Sequence, residues 1–506
     1  MRIPVGAHAD LKLMPTLLNI VGSGTQSFAP PPTIRDLYAE VPPELSATSA
    51  PIAVAANGSW WRWQQAVQRA RSAEMLRVLA VGASVTAGCG SSEPPAEKRC
   101  NRNRTDGPLS QHCSQAAGWV RTLADALPLE LGGILGHAAS IETSVMSRNA
   151  VTADYFARCT KAWVHRDTHV ILLDIAQLNA GLTRALPRVV MALRRAAPFA
   201  VIALLSWRSQ AGMGTLGSAG QVAMENDIDI LRIDLLAKSL VFTKAQSKTR
   251  DESKVQRPHM GGCRPKSILY ALLGADKIHP SPEGHKLIGR AAAHFVGSHL
   301  RRATHASAAY GVVGAGKTEG ASSESGWERC FLQASELWDY IAPDAASRGG
   351  WRLVDDGGHK GVRKEGLLSQ QIGNRMRLAP IGPQDRGHCT GGHFLVELGY
   401  RLSRNESYGA FSIACAPRTC HCTPIRSAFA HKLAPFPRVN TNARLSANPE
   451  YRDPSFSATI TASTIFVVRA ERGTNATNAA CEVQVTHAEG ACVRIDGLSA
   501  SCGSVT

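Results

Sequence analysis

Two different hydrophobic patterns divide the chain. Between residues 75 and 300, short apolar runs alternate with amphipathic segments, whereas short β-type runs separated by Gly, Pro and Asn turns follow beyond residue 326. In the first part, strands are predicted at 75–81, 169–175, 199–205 and 228–233, and helices at 119–127, 186–195, 220–226 and 282–300. Apolar strands that alternate with helices indicate a parallel sheet covered on both faces. In the second part, an antiparallel β-sandwich is indicated by strands at 351–354, 393–402, 410–415, 457–468, 481–485 and 492–495.

The same patterns predict the domain boundaries. Residues 1–74 lack sustained periodicity and are interpreted as a leader or linker of low order that includes a short helix at 60–71. We expect a three-layer α/β/α domain with a parallel sheet at 75–300, a Gly/Ala/Ser-rich linker at 301–325, and a Cys-rich, mostly antiparallel β-sandwich at 326–506. No run is apolar over the ~18 residues that a membrane-spanning helix needs, so none is predicted.

The cysteines are unevenly placed. Five of the thirteen precede residue 325 and eight follow it. Eight in one domain predict a closed disulfide framework in an oxidising compartment, and the odd five leave at least one thiol in the first domain unless the two domains are cross-linked. The alternative is a zinc site at Cys415, Cys420, His421 and Cys422. That spacing lacks the matched second pair of a structural zinc site, so no metal is predicted.

Two further features bear on the compartment. Asn-X-Ser/Thr sequons occur at Asn57, Asn103, Asn405 and Asn475, and together with the cysteines they favour the secretory pathway. The apolar stretch at 14–21 is short and interrupted, which makes it a poor signal peptide. We therefore expect a secreted or lumenal protein without a clear signal sequence.

The net charge is positive, with 56 basic and 40 acidic side chains giving +16. A basic excess can attract nucleic acid or acidic polysaccharide. The chain has no zinc-finger spacing, no heptad-linked basic region and no aromatic RNA-binding signature, so no nucleic-acid partner is predicted. A cluster of Lys and Arg at 238–266 is interpreted as a solvated insertion near an active-site mouth, which could favour acidic glycans.

Two polar motifs flank the predicted sheet. The first, GASVTAG at 82–88, directly follows an apolar strand, and the second, DKIHPS at 276–281, precedes the last helix with Ser281 as its predicted N-cap. Ligands of parallel α/β sheets bind beyond the carboxyl ends of the strands, where Ser84 would be exposed. Asp276 could hydrogen-bond His279, and that imidazole could deprotonate the serine. Taken alone, each motif also fits an ordinary turn at the start of a helix.

The order of these motifs resembles the SGNH hydrolases, the family of GDSL-like lipases and esterases. The likeness is strongest at 78–88 and in DKIHPSPEGHKLIGRAAAHF at 276–295. It implies Ser84 as the nucleophile, His279 as the general base, Asp276 as its orienting carboxylate and the Ser84 N–H as one oxyanion donor, with no metal or organic cofactor. The family usually has Asp before the serine, where this chain has Ala83.

The resemblance also implies two further oxyanion donors, a Gly N–H and an Asn side chain. The candidate Gly block is 136–140, where the backbone N–H of Ala139 or Ser140 would donate. In the Asn block, an ungapped alignment puts Leu178 at the Asn position, whereas a shift of one residue puts Asn179 there, and Gln177 is a possible substitute. Loss of one such donor typically costs ~3 kcal/mol in transition-state stabilisation.

Two residues near the motifs receive structural interpretations. His285, on the last predicted helix, is expected to cap or pack rather than react. Cys89, beside the serine motif, is expected to form a disulfide with Cys100 or Cys113, because it has no paired base of its own.

The predicted function is a serine ester hydrolase that removes acetyl or other short acyl groups from carbohydrate, or cleaves another ester, through an acyl-enzyme. Two alternatives stay open: a glycan O-acyltransferase that uses the same serine and histidine, and a non-catalytic glycan-binding protein with a degenerate esterase domain. In the second part, GWRLVDDGGHKG at 350–361 and AHKLAPFPRV at 430–439 resemble the accessory β-domain that follows SGNH domains in secreted algal and other protist proteins. The sequence does not define an oligomeric state.

Overall fold

The chain folds into an α/β domain and a β-sandwich domain. The computed structural model describes residues 53–55, 60–91, 113–136, 139–148, 151, 153–176, 182–207, 222–223, 225–233, 279–310, 328–341, 348–355, 365–381, 393–403, 407–416, 420–424, 439–440, 460–470 and 481–502. Among these residues, no helix has the length and apolarity needed to cross a membrane.

The α/β domain is built on a six-stranded sheet. Its strands are β1 (Ala53–Ala55), β2 (Met75–Gly82), β3 (Ser140–Ser147), β4 (Val170–Asp174), β5 (Val201–Ser206) and β6 (Asp229–Arg232). In the spatial order β1-β6-β5-β4-β2-β3, all neighbours are parallel except β1, which is antiparallel to β6. The helices are α1 (Trp60–Ser72), α2 (Trp119–Leu131), α3 (Thr160–Trp163), α4 (Leu182–Ala196) and α5 (Pro282–Tyr310).

Two apolar cores lie on opposite faces of this sheet. One contains α1, α2 and α5, with Trp63, Trp119 and Phe295 all buried. The other contains α4 and the residues before α3, with Phe156 and Leu186 buried. Every residue of β4 and β5 is buried, as expected for central strands of a parallel sheet covered on both faces. The predicted three-layer α/β/α architecture is therefore confirmed.

The α/β domain extends beyond the predicted boundaries at both ends. Helix α1 packs in the core, and its Trp63 Nε1–H donates to Asp229 Oδ2 over 2.7 Å. Strand β1 adds to the sheet, so the domain begins upstream of residue 75. Helix α5 continues ten residues past the predicted end at 300, to Tyr310. Strand β3 was not predicted, because its polar residues do not form an apolar run.

The second domain is an antiparallel sandwich, as predicted. Its strands are β7 (Glu328–Phe331), β8 (Arg352–Asp355), β9 (Glu365–Ser369), β10 (Arg375–Ile381), β11 (His393–Leu402), β12 (Ala410–Ala416), β13 (Cys420–Pro424), β14 (Val439–Asn440), β15 (Ile460–Ala470), β16 (Cys481–Glu489) and β17 (Val493–Cys502). One sheet has the order β10-β16-β12-β14, and the other has the order β13-β15-β11-β17-β9-β8 with β7 also on β17. Helix α6 (Ala334–Ile341) packs against the second sheet, and Trp351 lies in the shared core.

The prediction of a closed set of eight cysteines is wrong, because Cys330 forms a disulfide with Cys159 of the α/β domain. Cys492 is a thiol whose Sγ lies 3.8 Å from Ser407 Oγ. Disulfides within the sandwich join Cys415 to Cys422 and Cys420 to Cys481. These bonds use the thiols of the alternative zinc site, so that site is not formed.

Buried charges reinforce the covalent link between the domains. Arg158, adjacent to the bridging Cys159, donates from Nε to Glu397 Oε1 of β11 over 2.8 Å, and both side chains are buried. Arg188 of α4 binds the other oxygen of Glu397. A Cβ at Gly399 would lie 2.2 Å from Arg158 Nη1, so the absence of a side chain there makes room for the guanidinium. The sandwich is thus docked on the face of the α/β domain that carries α4.

Candidate active site

Ser84 lies in a tight turn at the carboxyl end of β2. The turn is closed by hydrogen bonds from Ala87 N to Ala83 O (3.0 Å) and from Cys89 N to Ser84 O (2.9 Å). Ala83 is buried, whereas Ser84 is half-buried. Within the described residues, the Ser84 N–H donates no hydrogen bond. An unengaged N–H beside an accessible hydroxyl can stabilise negative charge that develops on a bound group.

The imidazole of His279 contacts the hydroxyl of this serine. Its Nε2 lies 2.7 Å from Ser84 Oγ, although 195 residues separate the two in sequence. The structure therefore brings together two of the predicted site residues. Asp276 and Asn179 lie outside the described residues, as do Gln177 and Leu178.

Residues 279–281 pack directly on the turn that carries Ser84. A Cβ at Gly90, whose φ is +92°, would lie 2.3 Å from the Pro280 carbonyl oxygen, so only glycine allows this approach. Ser281 caps α5 as predicted, accepting a hydrogen bond from Gly284 N at Oγ over 3.1 Å. The disulfide of Cys89 with Cys113, one of the two expected partners, anchors the end of the serine turn.

His285 bridges the elements behind the site. The Trp119 N–H donates to His285 Nδ1 over 3.2 Å, so the ring proton is on Nε2, which donates to Cys89 O over 3.0 Å. Burial lowers the pKa of His285 to about 4, and the hydrogen bond to Cys89 O opposes this shift. A neutral imidazole thus holds α2, α5 and the serine turn together, in line with the structural role expected for it.

Asp174 is a supporting residue that lies outside the two sequence motifs. It ends β4 opposite Gly82 of β2 and is inaccessible to solvent. Its Oδ2 accepts a hydrogen bond from Thr86 Oγ1 (2.7 Å), and its Oδ1 accepts one from Trp207 Nε1 (2.9 Å). The carboxylate thereby ties the serine turn to two neighbouring strands. A signal was present, since an acidic residue ends an otherwise apolar run.

The oxyanion role predicted for Ala139 is wrong. Ala139 precedes β3, which runs parallel to β2 in a register that pairs Met75 with Ser140 and Gly82 with Ser147. Ala139 therefore lies at the amino edge of the sheet, about 20–25 Å of strand from the edge that carries Ser84. At that carboxyl edge, the segment after β3 begins with Arg148, whose N–H donates to Gly82 O over 3.2 Å.

The described part of the site has the groups for nucleophilic chemistry. A hydroxyl in contact with an imidazole nitrogen can transfer its proton to that nitrogen, and a backbone N–H beside it can donate a hydrogen bond to a negatively charged oxygen. No cluster of three or more His, Cys, Asp or Glu residues able to hold a metal occurs among the described residues.

Comparisons of the chain with known proteins find remote structural similarities. No family model matches the chain, and no curated protein matches it. Similar solved structures include a G-D-S-L family protein described as lipolytic from Desulfitobacterium hafniense DCB-2 (16% identity, 43% of this chain and 97% of that chain, TM-score 0.26). A carbohydrate esterase is 12% identical, over 45% of this chain and 68% of that chain, with a TM-score of 0.27. A peptidoglycan O-acetylesterase is 12% identical, over 50% of this chain and 99% of that chain, with a TM-score of 0.29. These three structural neighbours are described as one lipolytic protein and two esterases.

Proposed function

We propose that the chain is a serine ester hydrolase in which Ser84 is the nucleophile and His279 is the general base. The observation that carries the proposal is the 2.7 Å contact between Ser84 Oγ and His279 Nε2 at the carboxyl end of β2. This distance lies within the range required for proton transfer between a nucleophile and its base. Asp276, three residues before His279, is proposed to orient the imidazole.

The reaction follows from these roles. Ser84 Oγ attacks the ester carbonyl carbon while His279 Nε2 takes its proton, and the carbonyl oxygen becomes an oxyanion that accepts a hydrogen bond from the Ser84 N–H. His279 then returns the proton to the leaving alcohol, which leaves the acyl group on Ser84. Water, deprotonated by His279, releases the acid and regenerates the serine. Asn179 and the segment that begins at Arg148 are proposed to supply further oxyanion donors.

We infer that the substrate is an acetyl or short acyl ester on a carbohydrate. The disulfides within and between the two domains support residence in an oxidising, extracellular or lumenal compartment, where such bonds persist. The joined sandwich domain and the sequons agree with a secreted protein that acts on a polymer outside the cell.

Hydrolysis of p-nitrophenyl acetate, butyrate and octanoate tests the proposal. Ser84→Ala and His279→Ala should each reduce kcat by at least ~10³-fold, with acetate hydrolysed fastest by the unchanged chain. Ser72→Ala, at an exposed position at the end of α1, is the matched control and should keep full activity. Equally negligible rates for the unchanged chain and Ser84→Ala would overturn the proposal. Ester formation only on an added sugar would replace it with acyl transfer.

A further inference from the structure

One outer face of the sandwich carries a set of aligned cationic and polar side chains. Arg375 and Arg377 of β10 are exposed, whereas Met376 and Leu378 between and after them are buried. Since alternate residues of a strand share a face, the two arginines point outward together. We call this outward set the arginine face. The strand registers align its residues in two rows across β10, β16 and β12, with Arg375, Thr486 and Ser412 in one row and Arg377, Gln484 and Ala414 in the next.

A cavity adjoins this face at the edge where the two sheets meet. It has a volume of about 780 Å³ and shares Ser412 and Ala414 with the arginine face. Its other polar walls are His421 and Thr423 of β13 and Arg469 of β15. His421 and Arg469 are directly opposite each other in the β13–β15 register, and both are exposed. This volume lies within the range of cavities that bind small ligands or a short segment of a polymer.

The arginines of the face and the cavity have no acidic partner among the described residues. Arg375, Arg377 and Arg469 form no ion pair with any part of the chain that the structure describes. The acidic side chains that are exposed or half-buried on the described residues of β10, β12 and β16 are Glu482, opposite Ala416, and Glu489, opposite Ala410 at the other end of β16. Guanidinium groups bind carboxylate and sulfate groups in bidentate fashion, so three arginines without an ion pair among the described residues favour an anionic ligand.

We propose that the arginine face and its cavity bind an acidic polysaccharide. The arginines would bind its carboxylate or sulfate groups, while Ser412, Thr423, Gln484 and Thr486 would hydrogen-bond its hydroxyls. An extended sheet face with charges in successive rows suits a repeating polyanion, because several weak contacts then act together. This function goes beyond ester hydrolysis and does not depend on Ser84.

Two observations favour a glycan over a nucleic acid. Single-stranded nucleic acids are held by aromatic side chains on which bases stack. The described outward residues of β10, β12 and β16 include no aromatic side chain. The disulfides of this domain also indicate an oxidising compartment, where acidic polysaccharides are common ligands.

Binding of the full chain to immobilised heparin, which carries both carboxylate and sulfate groups, tests the proposal. Dextran is the neutral polymer control, and a single-stranded oligonucleotide is the alternative polyanion. We expect binding to heparin that weakens with added salt, and no binding to dextran. Arg375→Gln/Arg377→Gln should weaken heparin binding by about fivefold to twentyfold and Arg469→Gln by about twofold to fivefold.

Two control variants distinguish binding at the arginine face from general charge attraction and from the catalytic site. Arg352→Gln removes an exposed arginine of the same domain outside the face and should leave binding unchanged. Ser84→Ala should also bind normally, so failure of the esterase proposal is distinguishable from failure of this one. No binding to heparin, equal weakening by Arg352→Gln and Arg375→Gln/Arg377→Gln, or equally tight binding of the oligonucleotide would each overturn the proposal.

Discussion

The two domains differ in the ionisable groups that they bury. The α/β domain buries histidines as neutral rings: His169, His285 and His299 each bond to backbone groups, and burial lowers the pKa of each to about 4. The described part of the sandwich also buries His487, whose pKa burial lowers, but it adds buried charged pairs. Arg401 and Arg494 both bind Asp496 in its interior, and Glu397 binds Arg158 across the domain interface.

This difference predicts different weaknesses. A buried neutral histidine lowers the free energy of unfolding only at a pH low enough to protonate the same ring in the unfolded chain. A buried ion pair behaves differently, because removal of one partner leaves the other charge out of water at any pH. The α/β domain should therefore be sensitive to acid. The sandwich and its interface should be sensitive to the loss of either partner of a pair.

The largest effect is expected at the domain interface. Glu397→Ala removes the buried carboxylate that pairs with Arg158 while the guanidinium stays out of water, so the free energy of unfolding should fall by about 3–5 kcal/mol in urea denaturation. Glu142→Ala is the matched control, because Glu142 pairs with Arg77 and its side chain is half-exposed. This variant should lower the free energy of unfolding by less than ~1 kcal/mol. Similar losses for the two variants would contradict the distinction between buried and surface pairs.

A smaller effect is expected from acid in the α/β domain. The pKa of His285 is about 4 in the folded chain and near 6.5 when unfolded, so between these values the unfolded state binds the extra proton. The free energy of unfolding should fall as the pH drops from 6.5 to 4, and this contribution should be absent above pH 6.5.

Replacement of that histidine isolates its share. His285→Gln keeps an amide N–H able to reach Cys89 O but cannot titrate, so the slope of unfolding free energy against pH should decrease by up to ~1.4 kcal/mol per pH unit in this window. His305→Gln, at an exposed position of α5, should leave the slope unchanged. An unaltered slope in His285→Gln would show that the buried imidazole is not responsible.

The sequence predicted the elements whose burial leaves a one-dimensional pattern. Strand β4 is buried throughout and appears as the apolar run VILLD, and α5 begins at a Ser cap. Strand β3 alternates polar residues at the edge of the sheet and gives no such run. Because the sequence pattern does not indicate β3, the family resemblance assigns the donor to Ala139, before this strand, rather than to the segment after it.

Contacts between distant segments account for the features that the sequence did not predict. The pairing of Cys159 with Cys330 depends on how the domains dock, and cysteine spacing alone does not contain that information. Trp63 lies in the core because α1 packs against the sheet, although the sequence around it lacks sustained periodicity. Ser84 and His279 were predictable because each motif carries a local signal, and their 2.7 Å contact agrees with the pairing that those signals implied.

The most direct test of the central claim is covalent labelling with a fluorophosphonate, followed by peptide mass spectrometry. A serine activated by a neighbouring base reacts with this reagent, whereas an ordinary serine does not. We expect one adduct, on Ser84, absent in Ser84→Ala and at least ~100-fold slower to form in His279→Ala. No adduct on Ser84, or equal labelling rates in the unchanged chain and His279→Ala, would contradict the assignment of Ser84 as a base-activated nucleophile.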